Sequence, residues 1–192
     1  MESIRANILA RRSIRGGFDS RPVTDADLVS LVEAGIYAPS GSNTQSVRFV
    51  LTNTPKELSR IGAIRGNAIA GARGVIAVFV DRAVVDWSIR HNGELWHKLA
   101  YQDSAAAIQN MLLLATAKGI GSCWISAYEE MNGTDCLAGK NWSDVFDVPD
   151  SYEIMGLVML GYLSNGAGDT LHHGRPVRRQ PVESYIWSKT CV

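Results

Sequence analysis

The chain has 192 residues, 46% of them hydrophobic and 20% charged, which suits one soluble globular domain over residues 1–192 with a substantial core. Its 19 Lys and Arg balance 19 Asp and Glu, so the composition offers no basic excess for nucleic acid. No stretch approaches the roughly 20 apolar residues of a membrane span, and Cys123, Cys136 and Cys191 lack the spacing of a zinc site or a disulfide framework.

The opening Met-Glu-Ser-Ile-Arg lacks the basic-then-apolar pattern of a signal peptide, so a cytoplasmic location is expected. Ser3 to about Arg12 reads as a short helix with Ile4 and Ile8 on one face. At its end Arg11-Arg12-Ser13-Ile14-Arg15 places three guanidinium groups and a hydroxyl in five positions. Thr24 is a suitable N-cap, with Asp25 and Asp27 in the first turn. Leu28, Leu31, Val32 and Ile36 then mark one face of a helix that ends before Pro39. Pro39 to Gln45 is a turn of small and amide side chains, and Val47 to Thr52 a strand. Pro55 at a first helical position begins a helix to about Ile61.

Val75 to Val80 is a continuous apolar run, expected to be a buried central strand. Trp87 to Lys98 reads as helical, weakened by Gly93. Gln102 to Lys118 is helical with Gly119 as its C′ residue, and its apolar positions cover nearly every face, which predicts a buried core helix. Gly121 to Ser126 and Ile154 to Tyr162 are strands, and Trp142 to Phe146 about one helical turn. The reading is an α/β or α+β domain with about four strands around a buried helix.

Each chemical feature has two readings when taken alone. Arg11, Arg12 and Arg15 suit a solvated helix C-terminus or a grip on an anion. Pro39–Gln45 suits an ordinary connection or a cradle for a flat polar ligand. Asp103 in an apolar helix lies either near an N-terminus or against a ligand, and Cys123, inside an apolar run, reads as a small core residue. Gly119-Ile120-Gly121 follows a helix and leads into a strand, the reverse of the dinucleotide-binding order. His91 and His97, six apart, and the adjacent His172 and His173 do not form a metal-ligating pattern, so no metal is expected. Together the arginines and the amide loop suggest a phosphate-bearing heterocyclic cofactor.

The ordered set Arg-Arg-Ser-x-Arg, Pro-Ser-Gly-x-Asn-x-Gln, Gly119 to Ile125, Gly161-Tyr162 and Arg178-Arg179-Gln180-Pro181 resembles the nitroreductase family of FMN-dependent oxidoreductases, from Ile4 to about Tyr185. The resemblance implies an α+β nitroreductase-like fold, with a central, mostly antiparallel sheet flanked by helices. It also implies an interlocked homodimer with FMN at the interface. On it, Arg11 and Ser13 face the FMN phosphate or ribityl chain, Arg15 approaches the pyrimidine edge and stabilises reduced flavin, and Arg12 lines the same site. Pro39, Ser40, Gly41, Asn43 and Gln45 match the loop that reaches the flavin from the partner subunit. Asp103 matches a polar position near the pyrimidine ring, and Ser126 and Ala127 the strand end whose backbone addresses N5. Arg179 matches a late phosphate-binding residue, with Arg178 and Arg175 beside it.

Two departures stand out: Ser46-Val47 where many members have Pro-Trp, and Ser126-Ala127 where Glu-Gly or Gly-Gly is common. The implied activity is hydride transfer from NAD(P)H through FMN to a small aromatic, quinone-like or nitro-substituted acceptor. A specialised dehydrogenase, dehalogenase or flavin-consuming enzyme is the alternative, and a non-catalytic flavin-binding subunit the second. Hydride transfer needs orientation more than a side-chain acid or base, so the absence of a Ser/His/Asp set fits.

Overall fold

Four strands, β1 (Val47–Thr52), β2 (Gly74–Asp81), β3 (Ile120–Ile125) and β4 (Tyr152–Tyr162), form one sheet in the order β1-β2-β4-β3 with every neighbour antiparallel. The computed structural model describes residues 2–65, 69, 71–92, 96–127, 142–163 and 179–185. Among the described residues, six helices lie around the sheet: α1 (Glu2–Ala10), α2 (Asp25–Ile36), α3 (Pro55–Arg65), α4 (Arg82–Asn92), α5 (Trp96–Ala117) and α6 (Trp142–Phe146). The architecture is α+β.

Both faces of the sheet are covered. On the first, Ile76, Val78, Val158 and Leu160 pack under Leu28 and Leu31 of α2, Val85 of α4 and Ile108, Met111 and Ala115 of α5. On the second, Val75, Ala77, Phe79, Cys123, Leu157 and Met159 pack under Ile61 of α3 and Trp142 and Val145 of α6. Double-sided burial explains the uninterrupted apolar run of β2, the central strand that the sequence predicts. A bulge between Val78 and Phe79 shifts its register with β4.

The α2 start is a full capping box: the Asp27 N–H donates to the Thr24 hydroxyl and the Thr24 N–H donates to the Asp27 carboxylate, each at 3.1 Å. Two expectations change. Ile36, placed on one face of α2 with Leu28 and Leu31, is 63% exposed at the helix end while those two are buried. The long core helix begins six residues earlier than its composition predicts, at Trp96, and it is not buried all round. Ile108, Met111, Leu112 and Ala115 are buried, but Gln109 is exposed and Ala105, Ala106, Leu113 and Leu114 are only half-buried. One sheet face can cover only one side of a helix; on the other, among the described residues, α1 reaches α5 through the Asn7 side chain, which donates to the Leu113 carbonyl at 2.9 Å, and leaves that side half-buried. Among the described residues, no helix is long and apolar enough to cross a membrane.

Candidate active site

After α1 the chain runs as a strap past the open edge of β3. The Ile14 N–H donates to the Ser122 carbonyl at 2.8 Å and the Asp19 N–H to the Tyr162 carbonyl at 2.9 Å, while Phe18 bridges Leu163. Phe18 packs against Gly161 and Gly121: a Cβ on Gly161 would overlap its ring and one on Gly121 would meet the ring edge at 3.0 Å, so the glycines admit the strap. Ile14 is buried, and Ser13 and Arg15 on either side of it are exposed, which is the alternation of an extended segment.

Arg11, Ser13 and Arg15 gather around Cys123 of β3. Burial pushes the Cys123 thiol up, against the pull of Arg15, Ser13 and Arg11. The thiol is 1% exposed and therefore stays protonated, a neutral floor beneath two cations. About 10 Å further along the strand, β3 gives way to exposed Ser126 and buried Ala127. Arg12 diverges from its neighbours: its guanidinium donates to the Leu9 and Arg11 carbonyls, so it serves the C-terminal end of α1. Arg179 is exposed on the segment before a 3-10 turn at Val182–Tyr185. Arg178 and Arg175 lie outside the described residues.

The Pro39–Gln45 segment is built differently from a cradle of free N–H groups. The Asn43 N–H donates to the Ser40 carbonyl, the Thr44 N–H to the Gly41 carbonyl and the Gln45 N–H to the Ser40 hydroxyl. The Gly41 N–H donates to both oxygens of Asp103, at 3.0 and 3.2 Å, and the Thr44 hydroxyl to one of them at 3.5 Å. Asp103, 7% exposed on α5, is thus the anchor of this loop. Burial raises its carboxyl above the ordinary range, and the Gly41 and Thr44 hydrogen bonds only partly oppose it. With those N–H groups turned inward, the exposed side chains of Ser42, Asn43 and Gln45 form the outer surface.

Ser42, Asn43 and Gln45 all have left-handed backbone, with φ of 44°, 57° and 50°. Such residues cost roughly 1–2 kcal/mol each, least for Asn, and persist where their surroundings hold them. Next to the loop is a pocket of about 240 Å³, lined by Gly35, Pro39, Phe49, Ala107, Asp103 and Arg48, among others. Arg48, which the sequence reading passed over, donates to the Gln45 carbonyl at 2.7 Å. Its only sequence signal is a cation at the start of an otherwise apolar strand.

The two halves do not meet in one chain. The amide loop feeds β1 at one edge of the sheet and is tied to α5 on the first face. The arginine strap runs along β3 at the other edge, beside Cys123 on the second face. Three inter-strand spacings, roughly 14 Å, separate those edges before the thickness of the sheet is added.

The sequence profile of the nitroreductase family matches residues 8–69 and 60–162, across both halves of this arrangement. The chain belongs to the nitroreductase family. A protein of Archaeoglobus fulgidus named as an NADH dehydrogenase/NAD(P)H nitroreductase is 27% identical over 164 residues, 84% of this chain and 86% of that one. Among solved structures, a nitroreductase from Desulfovibrio desulfuricans in complex with FMN superposes with a TM-score of 0.74 at 24% identity, covering 97% of this chain and 96% of its own. The NADPH:FMN oxidoreductase of Vibrio harveyi, complexed with NAD+, gives 0.71 at 20% identity over 97% of this chain and 76% of its own. The fold of these structures is the fold of this chain.

Proposed function

We propose that this family member is an FMN-dependent oxidoreductase that takes electrons from NAD(P)H and delivers them to a small aromatic, quinone-like or nitro-substituted acceptor. The observation that carries the reading is the convergence of Arg11, Ser13 and Arg15 on one strap beside Cys123 in the middle of β3. FMN bound there supplies a two-electron centre that accepts hydride from the nicotinamide and returns it to the acceptor. The donor set suits that group. Guanidinium and hydroxyl groups pair phosphate oxygens, and the protonated Cys123 thiol adds no competing negative charge below them.

In this reading Arg11 and Ser13 hold the phosphate or ribityl chain, with Arg179 and Arg178 as the late basic candidates. Arg15 stands at the pyrimidine edge, where a fixed cation favours negative charge. Ser126 and Ala127 are small enough to let a planar ring approach the strand end. The Pro39–Gln45 loop completes the site from a second copy, because its own chain holds it at the opposite edge of the sheet. Exposed Ile4, Ile8 and Leu9 on α1, Ile36 and Tyr37 at the end of α2, and the half-buried side of α5 supply the apolar surface such a dimer covers.

The test is a purified protein with a yellow flavin spectrum, one FMN per chain, that bleaches under anaerobic NADH or NADPH and recovers with nitroaromatics or quinones. A colourless protein that FMN cannot reconstitute removes the cofactor. A flavin that bleaches but ignores those acceptors moves the activity to a specialised dehydrogenase or dehalogenase. A monomer with full FMN occupancy in sedimentation removes the two-chain site.

A further inference from the structure

The left-handed positions of the amide loop sit between two anchors, Asp103 on α5 and Arg48 on β1. Asp103 grips Gly41 and Thr44 from α5. On the other side, Arg48 Nη1 donates to the Gln45 carbonyl at 2.7 Å and to the Val47 carbonyl at 3.1 Å, while Nη2 lies 3.6 Å from the Asp81 carboxylate. Asp81 is itself fixed. Its Oδ1 accepts from the Ala83 N–H at 3.1 Å and from the Ser151 hydroxyl at 3.2 Å, and its own N–H donates to the Ser46 carbonyl at 2.9 Å. The guanidinium is therefore braced against the end of β2, the first turn of α4 and the turn into β4.

Gln45 is the residue that most needs this brace. At φ 50° it occupies a region that only Gly, Asn and Asp visit routinely, and its own side chain offers just one long local hydrogen bond, from Nε2 to the Asn43 carbonyl at 3.4 Å, on the exposed side of the loop. A planar fork reaches two carbonyls and a carboxylate at once, whereas a lysine ammonium at this position reaches one or two of them.

We propose that Arg48 is a positioning residue: by tying the Gln45 carbonyl to Asp81 it keeps Ser42, Asn43 and Gln45 in their left-handed form and so presets the loop for the ligand of the site. The proposal rests on the reading of this loop as half of a flavin site. Arg48 itself acts through the loop backbone.

The experiment has a ligand-free arm and a cofactor arm, both on the full chain. In the first, residue-resolved hydrogen exchange follows the amides of Asn43, Thr44 and Gln45, which are hydrogen-bonded only when the loop is set. Arg48→Met is expected to speed their exchange about tenfold or more, the scale of a lost charge-assisted hydrogen bond, while α5 and β2 amides keep their rates. Arg48→Lys restores part of the protection. In the second arm, flavin fluorescence is expected to show FMN leaving Arg48→Met about tenfold faster than wild type, with Arg48→Lys between them.

Unchanged loop exchange in Arg48→Met overturns the proposal, and so does acceleration spread equally through α5 and β2. Faster loop exchange with an unaltered FMN dissociation rate also overturns it, because the loop is then not preset for the ligand. A wild type that takes no FMN, with loop exchange still responding to Arg48→Met, removes the flavin reading and leaves the brace standing.

Discussion

Asp27 should make this protein lose stability in acid, and Asp27→Asn should flatten that loss. The Asp27 side chain is 12% exposed. Burial alone would favour its protonated form. Lys118 at 3.0 Å, the Thr24 hydroxyl at 2.8 Å, the Thr24 N–H at 3.1 Å and the Tyr162 hydroxyl at 3.1 Å outweigh burial and lower the carboxyl from 3.8 to about 2. A carboxyl depressed on folding stabilises above its unfolded value and loses that contribution as pH falls through its folded value. The gap between 3.8 and about 2 corresponds to roughly 2.4 kcal/mol, fully present by about pH 5, with about 1 kcal/mol of it gone by pH 3. Urea unfolding of wild type and Asp27→Asn at pH 7, 5 and 3, at one protein concentration, measures the difference free of other titrating groups. It should hold from pH 7 to 5 and narrow by about 1 kcal/mol at pH 3. A difference that stays constant to pH 3 would refute the assignment of Asp27 as a charged, four-donor hub.

Asp103 should behave in the opposite sense. Its carboxyl is raised by burial, so ionising it costs stability, and that cost grows as pH climbs from the ordinary carboxylate range through the raised value. Asp103→Asn, which still offers an oxygen to Gly41, should remove this decline in the same urea series; a decline that persists in the variant would contradict it. Gly161→Ala should destabilise by roughly 1–3 kcal/mol because its methyl meets Phe18, and part of that cost should vanish in a Phe18→Ala background, which removes the ring but keeps the Cβ. Additive penalties in that cycle would mean that the strap does not set the glycine. In a variant whose only thiol is Cys123, reaction with a thiol-specific disulfide reagent at pH 8 should proceed at the unfolding rate, since the thiol is 1% exposed and its pKa raised. Labelling within seconds under native conditions would place Cys123 at the surface.

Local signals were legible in the sequence because local chemistry decides them. Thr24 with Asp27 three residues on is a cap wherever it occurs, Pro55 opens a helix, and the apolar run through Val75–Val80 demands cover on both sides. The motif order also carried the family, since spacing along a chain survives when each motif alone is loose. Arg12 shows the limit: beside Arg11 and Arg15 it looks equivalent, yet the turn out of α1 points it at the carbonyls of Leu9 and Arg11.

The composition of α5 likewise concealed which of its apolar sides has a partner. Which residues share a site was decided only by the tertiary structure. The arginine strap and the amide loop are close in sequence but lie on opposite sheet edges, because the order β1-β2-β4-β3 sends the strand after the loop to one edge and pairs the strap with the other. Arg48 acquired its role the same way, through Asp81 on a neighbouring strand. Periodicity and capping are read within about a turn or two of backbone, whereas edge, face and strand order come from contacts between residues far apart in the chain, which no local pattern encodes.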